Sequence, residues 1–178
     1  MASPIGHALV GLASAAVVAR ITGAPRGPEL WVGAVIASGL PDLDLVLEWL
    51  GLRGPRYHRN WSHSLILIGL LGAAGVAAVM LAPLPVDRRV ALAWWAALIA
   101  HPILDVVTTG PTLGARGYGI GIFWPVHGRR WFSQRPIIDQ TTEWGSCRSV
   151  REVWDGLLPE IVQLTPVCAL IIALALVL

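Results

Sequence analysis

The stretch VALAWWAALIAHPILDVV, residues 90–107, decides the fold. It is apolar from Val90 to Ala100 and then admits His101 and Asp105, four residues apart. On a helix that spacing puts both side chains on one face. Ionisable groups in lipid-embedded segments are costly and by default mark function.

Working outward, other apolar segments follow the same pattern. Ile5–Ala19 carries His7 at its start, and Leu30–Leu50 carries Asp42 and Asp44 in the motif PDLD. Ser64–Ala82, free of charge, is preceded by HRNWSHS with His58 and His63. Leu157–Leu178 closes the chain and contains Glu160 and Pro166, which make its start interfacial. A membrane-spanning helix needs about 20 apolar residues. The third and fifth segments meet this comfortably. The first and fourth are short and need help from neighbours or a thin bilayer.

Composition agrees. Of 178 residues 55% are hydrophobic and only 13% charged, against roughly 25% charged in a soluble domain. The expected fold is all-α, an integral membrane bundle of about five transmembrane helices. A single domain spans residues 1–178: four helices within 1–107 carry the site, 108–156 form an interfacial loop or lid, and 157–178 form the last helix. The apolar start lacks the basic n-region of a signal peptide and is read as a retained first helix. All 13 basic residues are Arg, and the net charge of +2 gives no reason to expect nucleic acid. Cys147 and Cys168 have no CxxC spacing, which argues against a disulfide or thiolate metal site.

The loop from Thr108 to Gly156 is rich in Gly, Pro, Trp and Arg. Trp124, Trp131, Phe132 and Trp144 suit the headgroup level, and His127, Arg129 and Arg130 suit its polar side. Asp139 and Glu143 read as solvated loop residues. Gly69, Gly72 and Gly75, and Gly33 with Ala37, are expected to let helix backbones approach closely.

Threading the helices back and forth brings His7, Asp42, Asp44, His58, His63, His101 and Asp105 to the same side of the membrane. Pro41 is expected to break the second helix and turn both aspartates toward the site. Ser62 is expected to cap the third helix, with His63 in its first turn and Arg59 beside it. A helix N-terminus and a guanidinium together suit a phosphate. Imidazole with carboxylate suits Zn, Mn, Fe or Ni. Four His and three Asp exceed the needs of one ion, so two bridged ions are also open.

These elements resemble a family of membrane-bound, metal-dependent hydrolases described as LexA-binding and inner-membrane-associated. The resemblance rests on His7, PDLD at 41–44, HRNWSHS at 58–64, HPILD at 101–105, TTG at 108–110 and Trp124-Pro125. It covers roughly the first 125 residues. Asn60 and Trp61 depart from the family's small or apolar middle. The resemblance implies metal-dependent hydrolysis without naming the bond.

The reading is therefore a membrane hydrolase with one or two divalent ions, Zn or Mn. It would cleave a phosphoester of a lipid or other amphiphile. The metal ligands are drawn from His7, Asp42, Asp44, His58, His63, His101 and Asp105. His58 or Asp44 would act as acid or base, Arg59 would hold the anionic group, and Ser64 and Trp124 would line the substrate. Arginine counts place the site side in the cytoplasm, in a bacterial-type inner membrane. The alternatives are a metal or proton transporter and a non-catalytic membrane partner with a structural polar cluster.

Overall fold

A computed structural model describes residues 2–52, 58–82, 85–138 and 149–177. Helix α1 covers Pro4–Thr22, α2 Pro28–Gly39, α3 Leu45–Trp49, α4 Leu65–Leu81, α5 Arg88–Thr108, α6 Pro111–Leu113 and α7 Val150–Val177. Among the described residues no strand forms, and one antiparallel bridge joins Ile120 to Trp131.

Four helical stretches are long and apolar enough to cross a membrane: Pro4–Thr22, Pro28–Leu47, Arg88–Thr108 and Val150–Val177. Leu65–Leu81 is apolar but has 17 residues. The fifth segment spans comfortably as expected, whereas the third is the short one and the first and fourth are long enough. The first and fourth segments gain turns from their polar ends. Ser3 caps α1 while Arg20 and Thr22 extend it, and Asp87 caps α5 ahead of Arg88 and Arg89. The third segment is cut short by its own cap at Ser64. The last helix starts at Val150 rather than Leu157 and runs 28 residues, about 42 Å, longer than a hydrocarbon core of about 30 Å. A helix this long must tilt or extend past the lipid tails.

Helix α1 packs on α2, α5 and α7, while α4 joins the bundle through α5. One core cluster unites Ala15, Ala19, Ala34, Ala37, Ala93 and Ala97 with Leu30 and Val90. Such small side chains let helix backbones close up where lipid removes the hydrophobic drive. A second cluster brings Ala13, Leu104, Leu164 and Cys168 together. On α5 the buried residues Val90, Ala93, Ala97, His101, Leu104, Asp105 and Thr108 follow helical spacing. One stripe thus changes from packing surface to polar site along a single helix.

The glycines serve a different purpose from the one expected. A side chain at Gly33 would overlap the indole of Trp94, and one at Gly72 the indole of Trp95. The two indoles donate to helix carbonyls, Trp94 to Leu30 at 3.2 Å and Trp95 to Ile68 at 3.2 Å. A side chain at Gly69 or Gly75 would meet nothing within 4 Å among the described residues.

Candidate metal centre

The chain breaks α2 where Pro41 removes a backbone donor. Leu40–Asp44 forms a tight 3-10 turn, with Asp44 buried and Asp42 partly so. A second such turn, Trp61–His63, buries His63 just ahead of α4. With His7 on the first turns of α1 and His101 and Asp105 on α5, four separate parts of the chain meet at one end of the bundle.

His63 Nε2 lies 3.1 Å from His101 Nε2, 3.5 Å from Asp42 Oδ1 and 3.2 Å from Asp105 Oδ2. His101 Nε2 lies 3.5 Å from Asp42 Oδ1 and 3.7 Å from Asp105 Oδ2. Donors bound at zinc distances to one tetrahedral ion stand about 3.3 Å apart. Five of the six spacings among these four atoms, 3.1–3.7 Å, are therefore those of a four-coordinate shell. Asp42 Oδ1 and Asp105 Oδ2 are buried and have no hydrogen-bond partner among the described residues. Buried acceptors are costly when unpaired, and a cation among these four atoms satisfies both.

The imidazoles are oriented from behind. His101 Nδ1 lies 2.5 Å from the Ser38 carbonyl, so Nδ1 carries the proton and Nε2 keeps its lone pair for the centre. Ser62 Oγ donates to Asp44 Oδ2 and lies 2.9 Å from His63 Nδ1. The serine oxygen accepts the His63 Nδ1 proton, which again leaves Nε2 facing the centre. Burial alone would lower the His63 pKa, but the Asp105 and Asp42 carboxylates beside it outweigh burial and hold it at about 9. The acidic surroundings thus favour positive charge at this spot, supplied by a proton or by a metal.

His7 stacks on His101, ring centroids 3.5 Å apart and 8° from parallel. Its Nε2 is 3.4 Å from Asp105 Oδ1, and neither ring nitrogen has a hydrogen-bond partner among the described residues. Asp105 thereby faces His63 with one oxygen and His7 with the other. Donor atoms of His7, His101 and Asp105 lie within 4.8 Å of one another, as do those of Asp42, His63 and His101, and of Asp42, Asp44 and His58.

Several expected roles change. His58 Nδ1 is 2.6 Å from Asp44 Oδ1, a hydrogen bond. Its Nε2 accepts from Arg59 Nε at 3.3 Å. Asp44 also accepts from Ser62 and from the Arg59 backbone, so Asp44 and His58 brace the loop beside the centre, while with Asp42 they also form a group able to hold an ion. Ser62 does not cap α4; Ser64 does, accepting from Leu67 N and donating to the Trp124 carbonyl. Two backbone donors at this helix end, expected to face an anion, are already used: Leu65 N donates to Ile122 O and Leu67 N to Ser64 Oγ. Arg59 is buried, with φ +60°, and its Nη1 donates to the Tyr118 carbonyl at 2.6 Å. Its guanidinium holds the loop against His58 and does not form an open fork. The Ser64 hydroxyl is likewise occupied, and Trp124 contributes its carbonyl.

Residues 119–131 fold over α4 as a tongue. Ile120 and Trp131 exchange backbone hydrogen bonds, and Gly121 N donates to Arg59 O at 2.9 Å. His127 lies on this tongue, exposed, and accepts from Arg129 N. Phe132 covers Gly114, and Arg129 sits over the Trp131 ring at 4.7 Å. Asp139, Glu143, Trp144 and Cys147 lie outside the described residues.

Sequence reasoning missed Ser38, whose backbone holds His101, and Ser3 with Glu160, which pair beside His7. Ser38 acts through a carbonyl, which no residue type announces. Glu160 carried a signal as an ionisable residue inside an apolar run.

A model of the YdjM inner membrane protein family matches residues 1–178, the whole chain. The chain belongs to that family. Together with four helices of membrane length, this makes it an integral inner membrane protein, with a buried His and Asp cluster able to hold a metal ion. No curated protein and no solved structure matches it significantly.

Proposed function

We propose that the protein is a membrane-embedded, metal-dependent hydrolase acting on a phosphoester of an amphiphile. The observation that carries the reading is the set of four donor atoms from Asp42, His63, His101 and Asp105, five of whose spacings fall between 3.1 and 3.7 Å. Two of the four are buried acceptors with no partner among the described residues. His7 extends the set through the second oxygen of Asp105. His7, His101 and Asp105 would be the residues to hold a second ion. The donors are nitrogen and oxygen only, which suits zinc or manganese.

A bound divalent ion supplies Lewis acidity and a water acidified toward neutral pH. The chain's own residues hold the geometry. Ser38 fixes His101, and the Ser62–Asp44 pair fixes His63. His58 and Arg59 lock the loop that carries them. Asp42 is the most accessible of the candidate ligands, with 15% side-chain exposure, and marks the side from which substrate and water enter. Its place in the last part of the membrane-length stretch Pro28–Leu47 favours a substrate whose headgroup sits at the bilayer surface. The same position favours a fifth crossing by α4, despite its 17 residues, and arginine counts favour a cytoplasmic site.

A transporter reading requires polar residues that continue toward the opposite face. Helix α4 has none, and the buried stripe of α5 is apolar from Val90 to Ala97. The test is purified protein in detergent, assayed for bound metal and for phosphate release from a panel of lipid phosphates. Activity that disappears with chelation and returns with zinc or manganese supports the reading. Stoichiometric metal with ion flux in liposomes and no hydrolysis contradicts it.

A further inference from the structure

Glu160 on α7 is completely buried and takes no part in the donor set. Both its carboxylate oxygens accept from the backbone N–H of Ser3, at 2.7 and 2.9 Å, and Oε2 also accepts from the Ser3 hydroxyl. Ser3 is the cap of α1: its Oγ accepts from Gly6 N at 3.1 Å, and its carbonyl accepts from His7 N at 3.0 Å. The next residue back, Ala2, donates its N–H to Asp105 Oδ1 at 3.2 Å. One carboxylate on the last helix therefore grips the segment from which His7 and a backbone donor reach Asp105.

The fit is specific to this pair. Gly6 faces Glu160, and a methyl group there would overlap Oε2. A buried carboxylate in a membrane helix is expensive, and an apolar residue of similar volume would join α7 to α1 at less cost. Apolar contacts already do that work through Ala13, Leu164 and Cys168. What the carboxylate adds is a fixed rotation and height for the first turn of α1.

We propose that Glu160 is a positioning residue of the metal centre. By clamping Ser3 it holds His7 against His101 and Asp105, and so sets the affinity of the centre for its ion. This rests on the metal-centre reading above. Glu160 acts through Ser3 and touches neither ion nor substrate.

The experiment is a double-mutant cycle on the full-length protein in detergent, reading zinc affinity by competition with a chromophoric chelator. Glu160→Gln keeps the volume but cannot accept at both oxygens. It is expected to lower zinc affinity about 10–100-fold, the usual cost of losing a residue that orients a ligand, with helix content unchanged by circular dichroism. In a His7→Ala background the same substitution is expected to cost no more than about twofold, because no His7 remains to be misplaced. Unchanged affinity in Glu160→Gln, or an equal loss in both backgrounds, overturns the proposal, since the latter is what a general structural role produces. Should Glu160→Gln not yield folded protein, Gly6→Ala displaces the carboxylate without removing it and carries the same expectations in the same cycle. Wild-type protein that binds no zinc contradicts the centre and this inference with it. Zinc-loaded wild type with an indifferent variant contradicts this inference alone.

Discussion

The carbonyl of Ser38 sits 2.5 Å from His101 Nδ1, so the last turn of α2 aims an imidazole on α5. Gly11 of α1 makes that possible: a side chain there would come within 2.6 Å of the Ser38 Cβ. Gly11→Val should push Ser38 away and release His101. The expected outcome is a loss of metal affinity of about 10–100-fold in protein that still folds as helix. Chelator competition and circular dichroism on the same preparation check it.

Ser62 lies between Asp44 and His63. Ser62→Ala removes the oxygen that accepts the His63 Nδ1 proton and frees the ring to turn. The loss in metal affinity should again be about 10–100-fold, and Ser62→Thr should restore most of it. A serine whose only part is to fill space would give the same result with alanine as with threonine.

His63 is held at about 9 in the ion-free protein, because Asp105 and Asp42 overcome the effect of burial. An ion at His63 Nε2 must displace that proton. Between pH 6 and pH 9 zinc affinity should therefore rise by up to about tenfold per pH unit and then level off. In Asp105→Asn the charge that raises the pKa is reduced, so the plateau should begin at lower pH. Isothermal titration in buffers of different ionisation enthalpy counts the released proton directly.

The glycines give a prediction about packing alone. Gly72→Ala collides with the Trp95 indole, whereas Gly69→Ala meets nothing. The first should destabilise the fold by about 1–3 kcal/mol, as overpacking does, and the second should be nearly neutral. Thermal unfolding in one detergent compares them.

Much of this could be read from the chain. Charges confined to the ends of apolar runs gave the helical class and the common end at which His7, Asp42, His63, His101 and Asp105 meet. The i, i+4 spacing gave the pairing of His101 with Asp105, and Pro41 gave the turn that carries Asp42. Other features had no such periodicity. Ser62 and Ser64 are both good helix caps, and only the path of the loop decides that Ser64 caps α4 while Ser62 serves Asp44. Arg59 reads as an anion fork until the Tyr118 carbonyl and His58 are found beside it. The hold of Glu160 on Ser3 spans 157 residues, and local pattern carries no information about it. The final helix starts earlier than its apolar run because the charge-bearing stretch 150–156 continues it.

The most direct measurement is zinc-edge X-ray absorption on purified wild-type protein after dialysis, with metal content determined on the same sample. A shell of about four nitrogen and oxygen donors near 2.0–2.1 Å, with multiple-scattering from at least two imidazoles that is lost in the double substitution of His63 and His101 by Ala, is the predicted result. Protein that retains no stoichiometric metal, or a spectrum indifferent to those two histidines, contradicts the central claim.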